Sequence, residues 1–142
     1  MADAKVLNLA RILGRFYKIP APAKAALEAQ LKTEAVDLVD AIKRAMDVAY
    51  SGESDADHEH LRDSVHAYKN PDRVIGYRIL ADAKDANGEF IGSHVEAGHR
   101  AADGTHVAAA PAFYPTYRAR KKAMQGRLRK AGRDAIKQAY EG

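Results

Sequence analysis

The sequence predicts an α+β fold organised as a single domain over residues 1–142: two N-terminal helices, a small antiparallel sheet laid out as a meander, and a basic C-terminal helix. Three observations lead to that class. Apolar residues recur at spacings of three and four over residues 3–50 and again over 114–140, the period of amphipathic helices. Between these blocks, short alternating runs are separated by turn residues, with connections too short for a parallel crossover. A chain of 142 residues also suffices to bury about two-thirds of its unfolded surface around one core.

Residues Asp3 to Lys18 place Val6, Leu9, Ala10, Leu13 and Phe16 or Tyr17 on one helical face, and Ile19-Pro20 ends that helix because a residue before proline is pushed out of the helical region. Pro22 suits the first turn of a second helix running to about Tyr50. Its stripe is Leu27, Leu31, Ala35, Leu38, Ile42, Met46 and Ala49, with Lys32, Glu34, Asp37, Asp40, Lys43 and Arg44 largely off it. Ser51-Gly52 supplies a left-handed cap, and the polar run Glu53 to His60 leads to a brief helical turn at Leu61 and Arg62. Strands are expected at Ser64 to Lys69 and at Arg73 to Ala81, joined by the turn Asn70-Pro71-Asp72. Asn87-Gly88 marks a second tight turn, after which Phe90 to Ala97 is expected as a third strand. Arg100 to Ala109 reads as a Gly-containing loop of the kind that orders on contact with a partner. From Tyr114 to Tyr140 the period is helical again: Tyr117, Met124, Leu128, Ala131 and Ala135 share one sector, and Gly126 and Gly132 suggest close backbone approach or a bend.

Composition narrows the chemistry. Of the 46% apolar residues, 29 are alanine and only 37 are Val, Ile, Leu, Met, Phe or Tyr, so a modest core completed by neighbours in an assembly is expected. With no cysteine there is no disulfide, no thiolate metal site and no cysteine nucleophile. No run approaches the 18 or so apolar residues of a membrane span, and the opening MADAKVLNLARIL lacks the features of a secretory signal, so no membrane partner is expected and the protein should stay where it is made. Charge is uneven: residues 112–142 hold nine Lys and Arg against Asp134 and Glu141, a net +7, which leaves −3 for residues 1–111 of the total +4. An acidic-leaning body with a basic tail helix points to a polyanion or an acidic protein surface, while a solvated helix face explains the same charges. The candidate contacts are Arg118, Lys121, Lys122, Arg127, Arg129, Lys130 and Arg133.

No set of residues converges on catalysis. His94 and His99 are five apart, whereas metalloprotease helices need histidines four apart with Glu after the first. The His94-Val95-Glu96 fragment lacks the Pro-Cys-x-x-Cys of zinc deaminases, and His58 and His60 diverge on a helix. Aligning Gly88 to a calcium loop puts Ala83 and His94 at the two essential carboxylate positions. Ser64 and His66 have no acidic orienter. No enzymatic activity, cofactor or metal is therefore expected. Pro111 and Pro115, by contrast, frame Phe113 and Tyr114, so two fixed backbone angles present two aromatic surfaces at the start of the basic helix, an anchoring arrangement.

The order of His60-Leu61-Arg62-Asp63-Ser64-Val65, then Val95-Glu96-Ala97-Gly98, a variable loop, and Ala110-Pro111-Ala112-Phe113-Tyr114-Pro115 opening a C-terminal helix resembles the tail-completion proteins of tailed phages. These are small neck proteins that join head to tail where the tail is long and non-contractile. The resemblance runs from about Leu61 to Met124. It implies a structural virion protein, assembled in the host cytoplasm as a homo-oligomeric, hexameric ring in the neck. Such a ring would meet the head-closure or connector protein on one side and the tail terminator or tail tube protein on the other, with genomic DNA passing non-specifically through its channel. A closed ring needs two different patches per subunit; the candidates are the long second helix, the loop with His99, Arg100 and His106, and Pro111, Phe113, Tyr114 and Pro115. Two other expectations stand beside this one: a small non-sequence-specific DNA-binding protein using the basic helix, and a sibling role in the same joint as tail terminator or head-closure protein.

Overall fold

The computed structural model describes residues 18–49, 61–73, 75–84, 86–100 and 103–141. The expected first helix falls outside these but for Lys18, which sits in a turn, and so does the polar run with His58, Glu59 and His60. Within the described residues the protein is α+β: a long helix, an antiparallel hairpin and a long C-terminal helix.

Helix α1 spans Ala21–Ala49, and its first turn is set where the Lys24 amide donates to the Pro20 carbonyl at 3.1 Å. Its apolar stripe faces inward from Ala35 through Leu38, Ile42 and Met46, the last two essentially inaccessible; Leu27 and Leu31 are half-buried and Ala49 is exposed. Residues 61–63 form the expected helical turn, closed where the Ser64 hydroxyl donates to the Leu61 carbonyl at 2.7 Å. Strand β1, Val65–Lys69, pairs antiparallel with β2, Tyr77–Ala81, in a register that sets Val65 opposite Ala81 and Lys69 opposite Tyr77. The second strand begins at Tyr77 and not at Arg73. In the connection between the strands the Asp72 amide donates to Asn70 Oδ1 at 3.1 Å, and the Asn70 amide to the Gly76 carbonyl at 2.9 Å.

The expected third strand is a helix. Lys84 and Phe90 bridge across the Asn87-Gly88 turn, where Gly88 has φ 83°, as the turn residues anticipate. The Ile91 amide then donates to the Ala83 carbonyl at 3.0 Å and the chain winds into α2, Ile91–Ala97. Spacing explains the correction: Ile91 and Val95 are four apart and both pack on the core, a helical relation that outweighs the alternation read from the same residues. Among the described residues the sheet is therefore a two-stranded hairpin and not a meander. The expected loop holds a separate small ribbon, β3 (His99–Arg100) paired with β4 (His106–Val107), closed by a turn in which Asp103 accepts the Thr105 amide at 2.9 Å.

Helix α3 spans Phe113–Glu141 and runs antiparallel along α1. Gly132 lies by Leu27, Arg127 by Glu34, so residue numbers rise on one helix as they fall on the other. The core forms where α1 meets the hairpin and the start of α3, around Leu38, Ile42, Met46, Leu61, Val65 and Ala112. Among the described residues no helix is long and apolar enough to cross a membrane.

Candidate functional site

Helix α3 begins without a local cap. Ala112 precedes it, and no acidic residue lies in its first turn, so the free amides there need an acceptor from elsewhere. Glu96, on α2, supplies it. Its Oε1 accepts the amides of Ala112 at 2.7 Å and of Phe113, and its Oε2 that of Tyr114 at 3.4 Å. A carboxylate at the positive end of a helix dipole stabilises that end twice, by hydrogen bonding and by charge. Gly98, at φ 73° and ψ 160°, then turns the chain from α2 into the ribbon, a backbone state reached almost only by glycine.

This unit sets the aromatic pair. Phe113 is half-buried and packs against the core, while Tyr114 is 57% exposed, its ring meeting that of Phe113 edge to face at 5.6 Å. Pro111 and Pro115 are exposed on either side. Two clefts meet at the pair. One, of about 610 Å³, reaches Leu80, Ala97 and Arg118; the other, of about 410 Å³, runs between the long helices past Leu31, Tyr77 and Tyr117. Arg100 and His106 stand opposite each other in the ribbon, both exposed, and His99 pairs with Val107 through the backbone.

The seven cations read as one basic face divide in the structure. Arg127 is turned against α1: its Nε and Nη2 bond Glu34 Oε1 and Oε2 at 2.6 and 2.7 Å, a forked pair. Glu34 is only 4% exposed, and the Arg127 hydrogen bond holds its carboxyl below the usual glutamate range against the opposing effect of burial. Glu34, expected largely off the buried stripe, lies buried at its edge, which corrects that expectation; Arg127, a candidate contact for a polyanion or an acidic partner, is engaged by Glu34. The signal was in the spacing, since Glu34 stands four residues before Leu38 and seven after Leu27 and so borders the apolar sector. Lys130 is bonded to Asp134 at 2.8 Å, which lowers the Asp134 carboxyl, and Lys121 lies 5.9 Å from the Tyr117 ring centre. Arg118, Lys122, Arg129 and Arg133 are exposed and have no ion-pair partner among the described residues.

His94 stands 3.9 Å from Glu89, and among the described residues no group of three or more His, Asp and Glu is placed to hold a metal ion. Comparison of the chain with protein-family models, with characterised proteins and with solved structures finds no match.

Proposed function

We propose that the protein is a structural joining protein of the tail-completion type, forming a homo-oligomeric ring in the neck between a phage head and a long, non-contractile tail. The observation that carries this reading is the Glu96 cap. Val95 to Gly98 and Ala110 to Pro115, two of the separate motifs on which the resemblance rests, are joined by the Glu96 side chain into one unit that fixes the start of α3 and presents Tyr114 between two clefts. An order of motifs with a physical reason for their company is a better guide than any motif alone.

In such a ring each subunit offers two unlike patches. Tyr114 with its clefts is one. The candidates for the other are the outer face of α1, where Val36 and Val48 are 46% and 75% exposed, and the ribbon carrying Arg100 and His106. An exposed tyrosine beside an apolar recess is the usual form of an interface hot spot. Head-closure protein and tail terminator are the neighbours along the axis.

Peptide mass spectrometry on purified particles, with heads and tails separated, tests the reading. About six or twelve copies in joined particles are expected from ring symmetry; absence from every particle fraction overturns it.

A further inference from the structure

Of the seven candidate cations, the four with no ion-pair partner among the described residues form a row. Arg118, Lys122, Arg129 and Arg133 are spaced by four, seven and four, which at about 100° per residue confines them to a sector about 60° wide over about 22 Å of helix. The packed side of α3 is the other one, where Ala135 is buried and Met124 and Leu128 are half-buried, so Lys122, Arg129 and Arg133 point away from the body, while Arg118, at the start of the row, also lines the larger cleft. Both acids of α3 lie off the row and are engaged by lysines: Asp134 by Lys130, and Glu141 by Lys137 at 3.9 Å. Arg118 and Lys122, and Arg129 and Arg133, are like charges one turn apart, which repel on an isolated helix. A polyanion laid along the row relieves that repulsion.

We propose that this row is a contact for the phosphate backbone of double-stranded DNA. Three of its four members are arginine, whose forked donors match phosphate oxygens. No aromatic side chain lies between them in the sector, so the row lacks the stacking platform by which single strands are held. Backbone contacts of this kind carry no sequence preference. The row goes beyond the joining role and stands on the helix face alone, whichever partners the ring meets.

Fluorescence anisotropy of the full chain on a short labelled duplex, titrated at several salt concentrations, tests it. Four neutralised phosphates give a slope of log affinity against log salt of about −3.6, or about a 150-fold loss between about 50 and about 200 mM salt. Arg129→Gln with Arg133→Gln should reduce that loss to about 12-fold. Lys32→Gln with Arg44→Gln, which removes equal charge from exposed positions on α1, should leave the slope unchanged. Glutamine keeps helix propensity at all four positions, and circular dichroism of each variant checks folding. The proposal fails if no duplex binding occurs at about 50 mM salt, or if the two variant pairs change the slope equally. It also fails if polyglutamate of the same charge displaces the duplex as well as unlabelled duplex does, since the row then reads any acidic chain. Particle copy number of the Arg129, Arg133 variant is measured separately, so loss of duplex binding with normal incorporation separates this contact from the joining role.

Discussion

Glu96 and Glu34 are carboxylates doing two different jobs, and each can be tested at its own position. Glu96→Ala leaves three amides at the start of α3 without their acceptor, and should cost about 1–2 kcal/mol in urea unfolding, with Glu96→Gln milder because one acceptor remains. An unchanged midpoint for the alanine variant would mean that water caps the helix equally well. Removing Arg127 strands a buried carboxylate, although Arg127 itself is half-exposed and water can partly replace it. Arg127→Gln should therefore cost about 2 kcal/mol near neutral pH, below the range for a fully buried pair. The pH dependence follows from the sign of the shift. Folded Glu34 has a depressed pKa, so its contribution is present above the unfolded glutamate value of about 4.3 and is lost as pH falls through the folded value. The stability gap between the native protein and Arg127→Gln should narrow when unfolding is repeated at about pH 3; a gap that stays constant with pH rules out the ion pair as its source.

Helix α3 carries two glycines, and they differ in surroundings. A Cβ built on Gly126 meets nothing within 4 Å, so close approach does not explain that residue; on Gly132 it would touch Leu27 Cδ1 at 3.7 Å, an ordinary contact. Gly126→Ala should raise stability by about 1 kcal/mol, read as a shift of a few degrees in Tm. No shift would point to a bend at Gly126 that alanine cannot follow. Gly98 is the opposite case, because its φ of 73° with ψ of 160° excludes a side chain at little strain. Gly98→Ala should cost about 1–3 kcal/mol and loosen the hold of Glu96 on α3. Alternation and helical period compete most closely in short segments such as Ile91–Ala97, and there the contact of Ile91 and Val95 with the core decided for helix.

For the whole molecule, the exposed tyrosine is the better probe of assembly than the phenylalanine beside it. Tyr114→Ala should change monomer stability by less than about 0.5 kcal/mol while lowering copy number in joined particles. Phe113→Ala, by contrast, removes a ring packed on the core and should cost about 2–3 kcal/mol, so its loss of assembly would be ambiguous. Normal incorporation of the Tyr114 variant would remove the clefts at the start of α3 from the interface.

Long-range repetition made both long helices and the first hairpin legible before any coordinates: Leu38, Ile42 and Met46 recur at one face of α1, and the turn at Asn70-Pro71-Asp72 separates the two strands. The basic bias of residues 112–142 was equally plain. Which of those cations remain available was not, because availability depends on the partners that folding brings close. Arg127 meets Glu34 across 93 residues of chain, and Glu96 meets the α3 amides across 16 to 18. Period and propensity act within a few residues, whereas pairing of a buried charge and capping by a remote carboxylate exist only once the helices are packed side by side.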